Sequence, residues 1–129
     1  MAFASQYQKY KAQSVSALTP GEQIVLLFEQ AVVSLAKALL YIESKDIPNA
    51  HNAIIRAQNI YLFLSDNLDM QFEISHNLYA LYQYAYDELI KANMKKDVEI
   101  VKRILDMTRE FKETWKNAEM QSRLGGIAK

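Results

Sequence analysis

The chain has 129 residues, of which 50% are hydrophobic and 23% charged, and its 15 basic and 15 acidic side chains cancel in net charge. This length suffices for one domain with its own hydrophobic core. The charge balance excludes the strong positive field typical of nucleic-acid-binding proteins. The absence of cysteine excludes disulfides, thiol nucleophiles and cysteine metal sites.

The most apolar run, residues 24–42, has the length of a membrane span. It contains Glu29 and Lys37, and a charge at the centre of a bilayer costs roughly 2.5–3.5 kcal/mol. We therefore interpret the run as a helix of a soluble, cytoplasmic protein without membrane insertion. The N-terminal residues also lack the apolar segment behind basic residues that defines a signal peptide.

The first predicted element is an N-terminal arm, residues 1–18, which is too polar to be core although it contains Tyr7 and Tyr10. The sequence 19–22, T-P-G-E, then predicts a helix start, because it combines a Thr N-cap, Pro at the first helical position and Glu at the third. The apolar residues that follow recur at helical spacing and predict the buried face of the first helix: Ile24, Leu27, Phe28, Ala31, Leu35, Ala38, Leu39 and Ile42.

Three further helices follow in chain order. The second is predicted over 48–66 after an Asp46 cap, the third over 73–93, and the fourth from Asp97 to a stop at Gly125-Gly126. The predicted inward residues are Ala50, Ala53, Ile54, Ala57, Ile60, Tyr61 and Leu64, then Ile74, Leu78, Leu81, Ala85, Leu89 and Ala92, then Val101, Ile104, Leu105, Thr108, Phe111, Trp115 and Ala118.

Short links between long amphipathic helices place neighbouring helices antiparallel. The sequence therefore predicts an all-α protein, an antiparallel up-down four-helix bundle over 19–124 with an N-terminal arm over 1–18 and a flexible tail over 125–129.

The helices carry more apolar residues than a bundle core requires. The first helix has a second stripe, Leu26, Val33 and Leu40, between polar positions, and similar residues recur on the other three helices. Because several helices share this feature, a surface groove for a partner explains it better than chance exposure. One alternative is a homodimeric structural bundle in which the second stripe is the self-interface.

A second alternative is a ligand- or metal-binding bundle. Glu73 and His76 have the E-x-x-H spacing that di-iron bundles use, and Glu29 could supply a further carboxylate. The second E-x-x-H of such a site is absent, since the only other histidine is His51. We expect no metal, no cofactor and no catalytic residues, because no nucleophile elbow or phosphate-binding loop is present either.

Several short motifs occur together in this chain. In chain order they are Y-Q-K-Y at 7–10, Ser14-Val15, T-P-G-E at 19–22, L-L-F-E-Q-A at 26–31, R-A-Q-N-I at 56–60, Leu81-Tyr82 with Tyr84 and Tyr86, L-I-K-A-N-M-K-K-D at 89–97, and F-K-E-T-W-K-N-A at 111–118. Together they resemble one known family, the flagellin-specific export chaperones of the FliS family. The resemblance covers essentially the whole chain, and its specificity lies in the order and spacing of these pieces.

The resemblance implies a non-enzymatic, cytoplasmic chaperone that binds the disordered C-terminal segment of flagellin, prevents premature polymerisation and keeps it competent for export. It also implies a transient contact with the flagellar export gate, and we expect a monomer or weak dimer. Surplus apolarity predicts the client-binding groove: Ile55, Asn59, Leu62, Phe63, Tyr82, Tyr86, Ile100, Ile104 and Met107. We further expect Tyr7, Tyr10 and Val15 to form a lid over this groove that the client displaces.

Overall fold

The structure, a computed structural model, describes residues 18–128, including the side chains of residues 18–122. It contains four helices: α1 (Pro20–Glu43), α2 (Ile47–Asp66), α3 (Glu73–Lys95) and α4 (Val98–Ala128). Helix α1 packs against α2 and α4, and α3 packs against α2 and, much more sparsely, against α4. The prediction of an all-α four-helix bundle is confirmed.

The predicted start of α1 is confirmed atom by atom. The Thr19 hydroxyl accepts a hydrogen bond from the Glu22 backbone N–H at 3.1 Å, and the Glu22 carboxylate accepts one from the Thr19 N–H at 3.4 Å. The Thr19 hydroxyl also donates to Oε1 of Glu119 on α4 at 2.9 Å. Gly21 permits this approach, because a Cβ there would lie 2.0 Å from Oε2 of Glu119. The cap of α1 therefore also joins the start of the first helix to the C-terminal part of α4.

The connections between the helices are as short as predicted. Asp46 caps α2 by accepting from the Asn49 N–H at 3.4 Å, and Asp97 accepts from the Ile100 N–H at the start of α4. Lys45 and Lys96 adopt left-handed conformations with φ of 60° and 55°, which ends a helix sharply.

The predicted stop of the last helix is wrong, since α4 continues through Gly125 and Gly126 to Ala128. Glycine costs an α-helix about 1 kcal/mol relative to alanine. Unlike proline it leaves the backbone hydrogen bonds intact, so a glycine pair weakens a helix without ending it.

Helix α1 is long and apolar enough to cross a bilayer by length and composition. In the structure it is a bundle helix, with its inner face, including Phe28, Ala31, Leu35 and Ala38, fully buried against α2 and α4. Its high apolarity comes from carrying an exposed apolar stripe in addition to this face.

Four rings from four helices meet at the centre of the core. The Phe28 ring stacks on Phe111 with centroids 5.5 Å apart and lies 6.3 and 6.0 Å from the rings of Tyr61 and Tyr82. The rings of Tyr82 and Phe111 meet edge to face at 5.3 Å. Such arrangements add about 0.5–1.5 kcal/mol per pair beyond the burial of area, so this cluster fixes how all four helices pack.

The inner face of α3 differs from the prediction. Leu81 and Ile74 were expected inside but are exposed, whereas Tyr82 is only 1% exposed and joins the core. Ala85, Leu89 and Ala92 are buried as predicted. The difference is confined to the first half of the helix, where Tyr82 points inward in place of its neighbour Leu81, about 100° away on the helix. Ala118 of α4, also expected inside, is exposed.

Two buried hydroxyls form a short hydrogen-bonded chain between α2 and α4. The Thr108 hydroxyl donates its one proton to the Ile104 carbonyl at 2.6 Å, so the Tyr61 hydroxyl must donate to Thr108 across 2.5 Å. Burial raises the pKa of Tyr61 well above its ordinary value, an effect that the hydrogen bond with Thr108 opposes only in part. The tyrosine is therefore neutral and retains its proton at physiological pH.

This hydroxyl chain gives an asymmetric prediction. Replacing Thr108 with valine leaves the buried Tyr61 O–H without an acceptor and should lower the free energy of unfolding by about 1–3 kcal/mol, whereas Tyr61→Phe should cost about 0.5–1.5 kcal/mol. Urea unfolding followed by circular dichroism measures both. In the Tyr61→Phe background, Thr108→Val should lower the free energy of unfolding by less than it does in the wild-type chain. If the two losses are additive instead, the two hydroxyls do not form the hydrogen bond described.

Candidate functional site

Helices α3 and α4 pack much more sparsely against each other than the other neighbouring helices of the described chain do, and we call the cleft between them the α3–α4 cleft. It has a volume of about 310 Å³ and is lined by Leu81, Tyr84, Met107, Glu110, Phe111 and Thr114. Leu81 and Tyr84 are 44% and 45% exposed, although both are large and largely apolar. Four of the six lining residues are apolar or aromatic, so the cleft is suited to apolar side chains rather than to a polar ligand.

A side-chain hydrogen bond links α3 and α4 next to the cleft. The Trp115 indole N–H donates to the Tyr82 hydroxyl at 3.3 Å, which joins α4 to α3. Burial raises the pKa of Tyr82, and the hydrogen bond from Trp115 lowers it by less. Because Phe111 stacks in the central ring cluster and also lines the cleft, any molecule in the cleft would touch the core directly.

An ion pair links α3 and α4 beside the cleft. The Glu88 carboxylate accepts from Arg103 of α4 through Oε2, and from Lys91 of α3 at 3.1 Å through Oε1. The Glu88 side chain is only 12% exposed, so this contact is partly shielded from solvent. Contacts between α3 and α4 thus combine one charged link with an open apolar cleft.

Helix α3 also exposes apolar side chains on its other flank. Tyr84 and Tyr86 are two residues apart and so point about 200° apart on the helix. Since Tyr84 lines the α3–α4 cleft, Tyr86 lies on the side of α3 that faces α2. The exposed large apolar residues of α3 number more than those of any other described helix: Ile74, Tyr79, Leu81, Tyr84, Ile90 and Met94.

Comparison with known proteins identifies the chain's family. A family model described as "Flagellar protein FliS" matches residues 3–122. The chain belongs to the FliS family. It is 32% identical over 133 residues to the flagellar secretion chaperone FliS of Bacillus subtilis, covering 99% of this chain and 100% of that one. It is 30% identical over 106 residues to FliS of Salmonella typhimurium, covering 80% and 78% of the two chains, and 30% identical over 113 residues to FliSB of Pseudomonas aeruginosa, covering 85% and 90%.

The structure places the predicted groove residues of this FliS-family chain in three environments. Asn59, Leu62 and Phe63 of α2 are exposed. Four members of the set are half-buried at the edge of the core: Ile55, Tyr86, Ile100 and Met107. Of the whole set, Met107 lines the α3–α4 cleft.

Two of the predicted groove residues must be corrected. Tyr82 is 1% exposed and Ile104 is fully buried, so both belong to the core and cannot present a contact surface in this conformation. The remaining residues also divide between two faces of the FliS-family bundle, because α3 stands between α2 and the cleft side of α4. The predicted groove residues that are exposed or half-buried thus come from α2 on one flank of α3, from α4 on the other, and from Tyr86 of α3 itself.

Sequence reasoning missed Leu81, Tyr84, Glu110, Phe111 and Thr114 as lining residues of the cleft. The sequence analysis assigns Leu81 and Phe111 to the core and names Tyr84 only as part of the family resemblance. A three-residue spacing between Leu81 and Tyr84 was a usable signal, since residues at this spacing share a helix face.

Two other expectations concern metal binding and the arm. Within residues 18–128 no three His, Cys, Asp or Glu side chains come together as metal ligands would, and Glu73, His76 and Glu29 are each exposed on their helices. The metal-binding alternative therefore finds no support. The expected lid residues Tyr7, Tyr10 and Val15 lie outside the described part of the chain.

Proposed function

We propose that this FliS-family chaperone binds the C-terminal segment of flagellin in the cytoplasm and keeps it unpolymerised until export. The observation that carries this proposal is the α3–α4 cleft with the apolar flanks of α3, in a chain whose relatives are named flagellar secretion chaperones. A chaperone of this kind needs no catalytic residues, because its effect is to bind and release.

The physical fit rests on how disordered segments bind helical bundles. An amphipathic client segment forms a helix on an apolar groove and inserts side chains at positions i, i+3, i+4 and i+7. Ordering the client costs about 2–5 kcal/mol of the gross interaction energy, so a single cleft of this size gives too little contact. Both flanks of α3 together offer the longer surface that such a client requires.

The proposed contact surface therefore keeps part of the predicted groove and extends it. From the sequence-based set we retain the residues that are exposed or half-buried: Ile55, Asn59, Leu62, Phe63, Tyr86, Ile100 and Met107. To these we add Leu81, Tyr84 and Phe111 of the cleft. A transient contact with the flagellar export gate, and a lid formed by the arm with Tyr7, Tyr10 and Val15, remain part of the proposal.

Titration of the full chain with a peptide of the flagellin C-terminal segment tests the function. Trp115 is the only tryptophan, and it is hydrogen-bonded to Tyr82 and one helical turn from Phe111 of the cleft. Binding of a flagellin peptide that itself lacks tryptophan should therefore change the fluorescence of Trp115 saturably at micromolar peptide concentration. A scrambled peptide should leave the Trp115 fluorescence unchanged. Lack of saturable binding would contradict the proposal.

The same titration on a chain without residues 1–16 tests the lid. A competing lid lowers the apparent affinity by the fraction of chains in which the groove is covered, so removal of the arm should tighten binding. Unchanged affinity together with unchanged thermal stability would refute the lid while leaving the chaperone function intact.

A further inference from the structure

Helix α3 is held less firmly than the other three described helices. It packs against α2 and only sparsely against α4, whereas α1 packs closely against both α2 and α4. Thr19, Asp46 and Asp97 cap the starts of α1, α2 and α4. No side chain caps α3, which begins after Phe72, so the N–H groups of its first turn lack the side-chain partner that the other helices have.

The interface between α2 and α3 also contains buried polar atoms without partners. Among the described residues, Oε1 of Gln58, Oγ of Ser65 and Oδ1 of Asn93 are buried and form no hydrogen bond. Gln58 and Ser65 lie seven and fourteen positions after His51, and therefore nearly in line with it along α2. The His51 carbonyl accepts from Nδ2 of Asn93 on α3 at 3.5 Å, so this line faces α3. A buried polar atom without a partner favours any conformation in which water can reach it.

On its other side α3 is joined to α4 by two polar side-chain contacts. The Glu88 carboxylate of α3 pairs with Arg103 of α4, and the Tyr82 hydroxyl of α3 accepts from the Trp115 indole N–H at 3.3 Å. The α3–α4 cleft lies beside these contacts. Movement of α3 away from the bundle would therefore break these few contacts while leaving the close packing of α1 against α2 and α4 intact.

We propose that α3 swings away from α2 and α4 as one unit, and that this opening admits the client to the inner walls of the α3–α4 cleft. Proteins open locally in cooperative units, and the units that open first have few buried contacts. In the open form water reaches Gln58 and Ser65, which offsets part of the apolar contact that is lost. The opening itself is independent of the client, whereas its role as a gate rests on the proposed chaperone function.

Hydrogen exchange of the full chain, followed by mass spectrometry of peptic fragments, tests the opening. After correction for intrinsic exchange rates, fragments of α3 should exchange at least about tenfold faster than those from the buried parts of α1 and α2, because α3 opens without the rest of the bundle. Exchange of α3 as slow as that of α1 would overturn the proposal.

Arg103→Gln should make the opening more frequent. The variant loses the ion pair with Glu88 that joins α3 to α4, and exchange of α3 should become about two- to fivefold faster. Arg109→Gln is the matched control, because Arg109 is exposed to nearly the same extent, 53% against 51%, but pairs with Asp106 of its own helix. Exchange of α3 should be unchanged in this control, and equal effects of the two replacements would contradict the proposal.

Gln58→Met should act in the opposite direction. Methionine has a similar shape but no polar atom that needs a partner, so exchange of α3 should become about fivefold slower or more. Gln30→Met makes the same replacement at an exposed position of α1 and should leave exchange of α3 unchanged. Circular dichroism establishes that each variant is folded. Unchanged or faster exchange of α3 in Gln58→Met would count against the proposal.

Stopped-flow mixing with the flagellin C-terminal peptide, followed by Trp115 fluorescence, tests the gating role. If the client binds only the open form, its association rate is proportional to the open fraction. Arg103→Gln should therefore speed association, and Gln58→Met should slow it, by the factors found for exchange. Altered exchange with unchanged association rates would refute the gating role. If the wild-type chain binds no peptide, the chaperone function and the gating role both fail, while the exchange measurements still decide whether α3 opens.

Discussion

Replacing Phe28 with alanine should lower the free energy of unfolding by about 3–5 kcal/mol, as is typical for a buried phenylalanine. This is a large part of the roughly 5–15 kcal/mol that stabilises a domain. Phe28 is fully buried and its ring contacts Tyr61, Tyr82 and Phe111, so the cavity would open where all four helices meet. Urea unfolding measured by circular dichroism and by Trp115 fluorescence gives the value.

Phe63→Ala is the matched control for this prediction. Phe63 lies on α2, is 53% exposed, and is outside the central ring cluster. Surface substitutions usually change stability by no more than about 0.5 kcal/mol, so the two identical replacements should differ by several kcal/mol. If they cost the same, the aromatic cluster does not hold the bundle together in the way described.

Replacing Leu81 with glutamate should weaken binding of the flagellin C-terminal peptide by at least about tenfold, which corresponds to about 1.4 kcal/mol. The physical reason is that a client in the α3–α4 cleft would bury the new carboxylate without a partner, and burial of an unpaired charge is costly. Leu81 is 44% exposed in the free chain, so the variant should fold. The peptide titration described for Trp115 gives the affinity.

Met94→Glu provides the comparison for Leu81→Glu. Met94 lies on the same helix and is more exposed, at 79%, but does not line the cleft. We expect this variant to bind the peptide like the wild type. If both variants bind normally while the wild type binds saturably, the client occupies another surface, and the assignment of the cleft is wrong although the chaperone function stands.

Most of the fold could be predicted from local sequence signals. The capping box at Thr19 and the Asp46 cap fix two helix starts through hydrogen bonds between residues three positions apart, so no tertiary information is needed. On α1 and α2 the alanines recur at helical spacing with the large apolar residues, and Ala31 and Ala57, both predicted inside, are fully buried.

The inner face of α3 could not be derived in the same way. Leu81 and Tyr82 are neighbours and both apolar enough to be buried, so periodicity alone cannot choose between them. The choice depends on partners far away in sequence: Phe28 and Phe111 surround the Tyr82 ring, and Trp115 supplies a donor for its hydroxyl. The error carried over to the candidate site, because Tyr82 was assigned to the groove and belongs to the core, whereas Leu81 was assigned to the core and lines the cleft.

The sparse contact between α3 and α4 has a consequence for the chaperone itself. On the proposed function, a client in the cleft supplies the apolar contacts that these two helices do not give each other. A ligand that binds only the folded state stabilises it by mass action, by about 2.7 kcal/mol when its free concentration is a hundred times the dissociation constant. A bound client would thus stabilise the folded chaperone. When a cell has exhausted its flagellin, the client-free chaperone would unfold more readily and be degraded more easily.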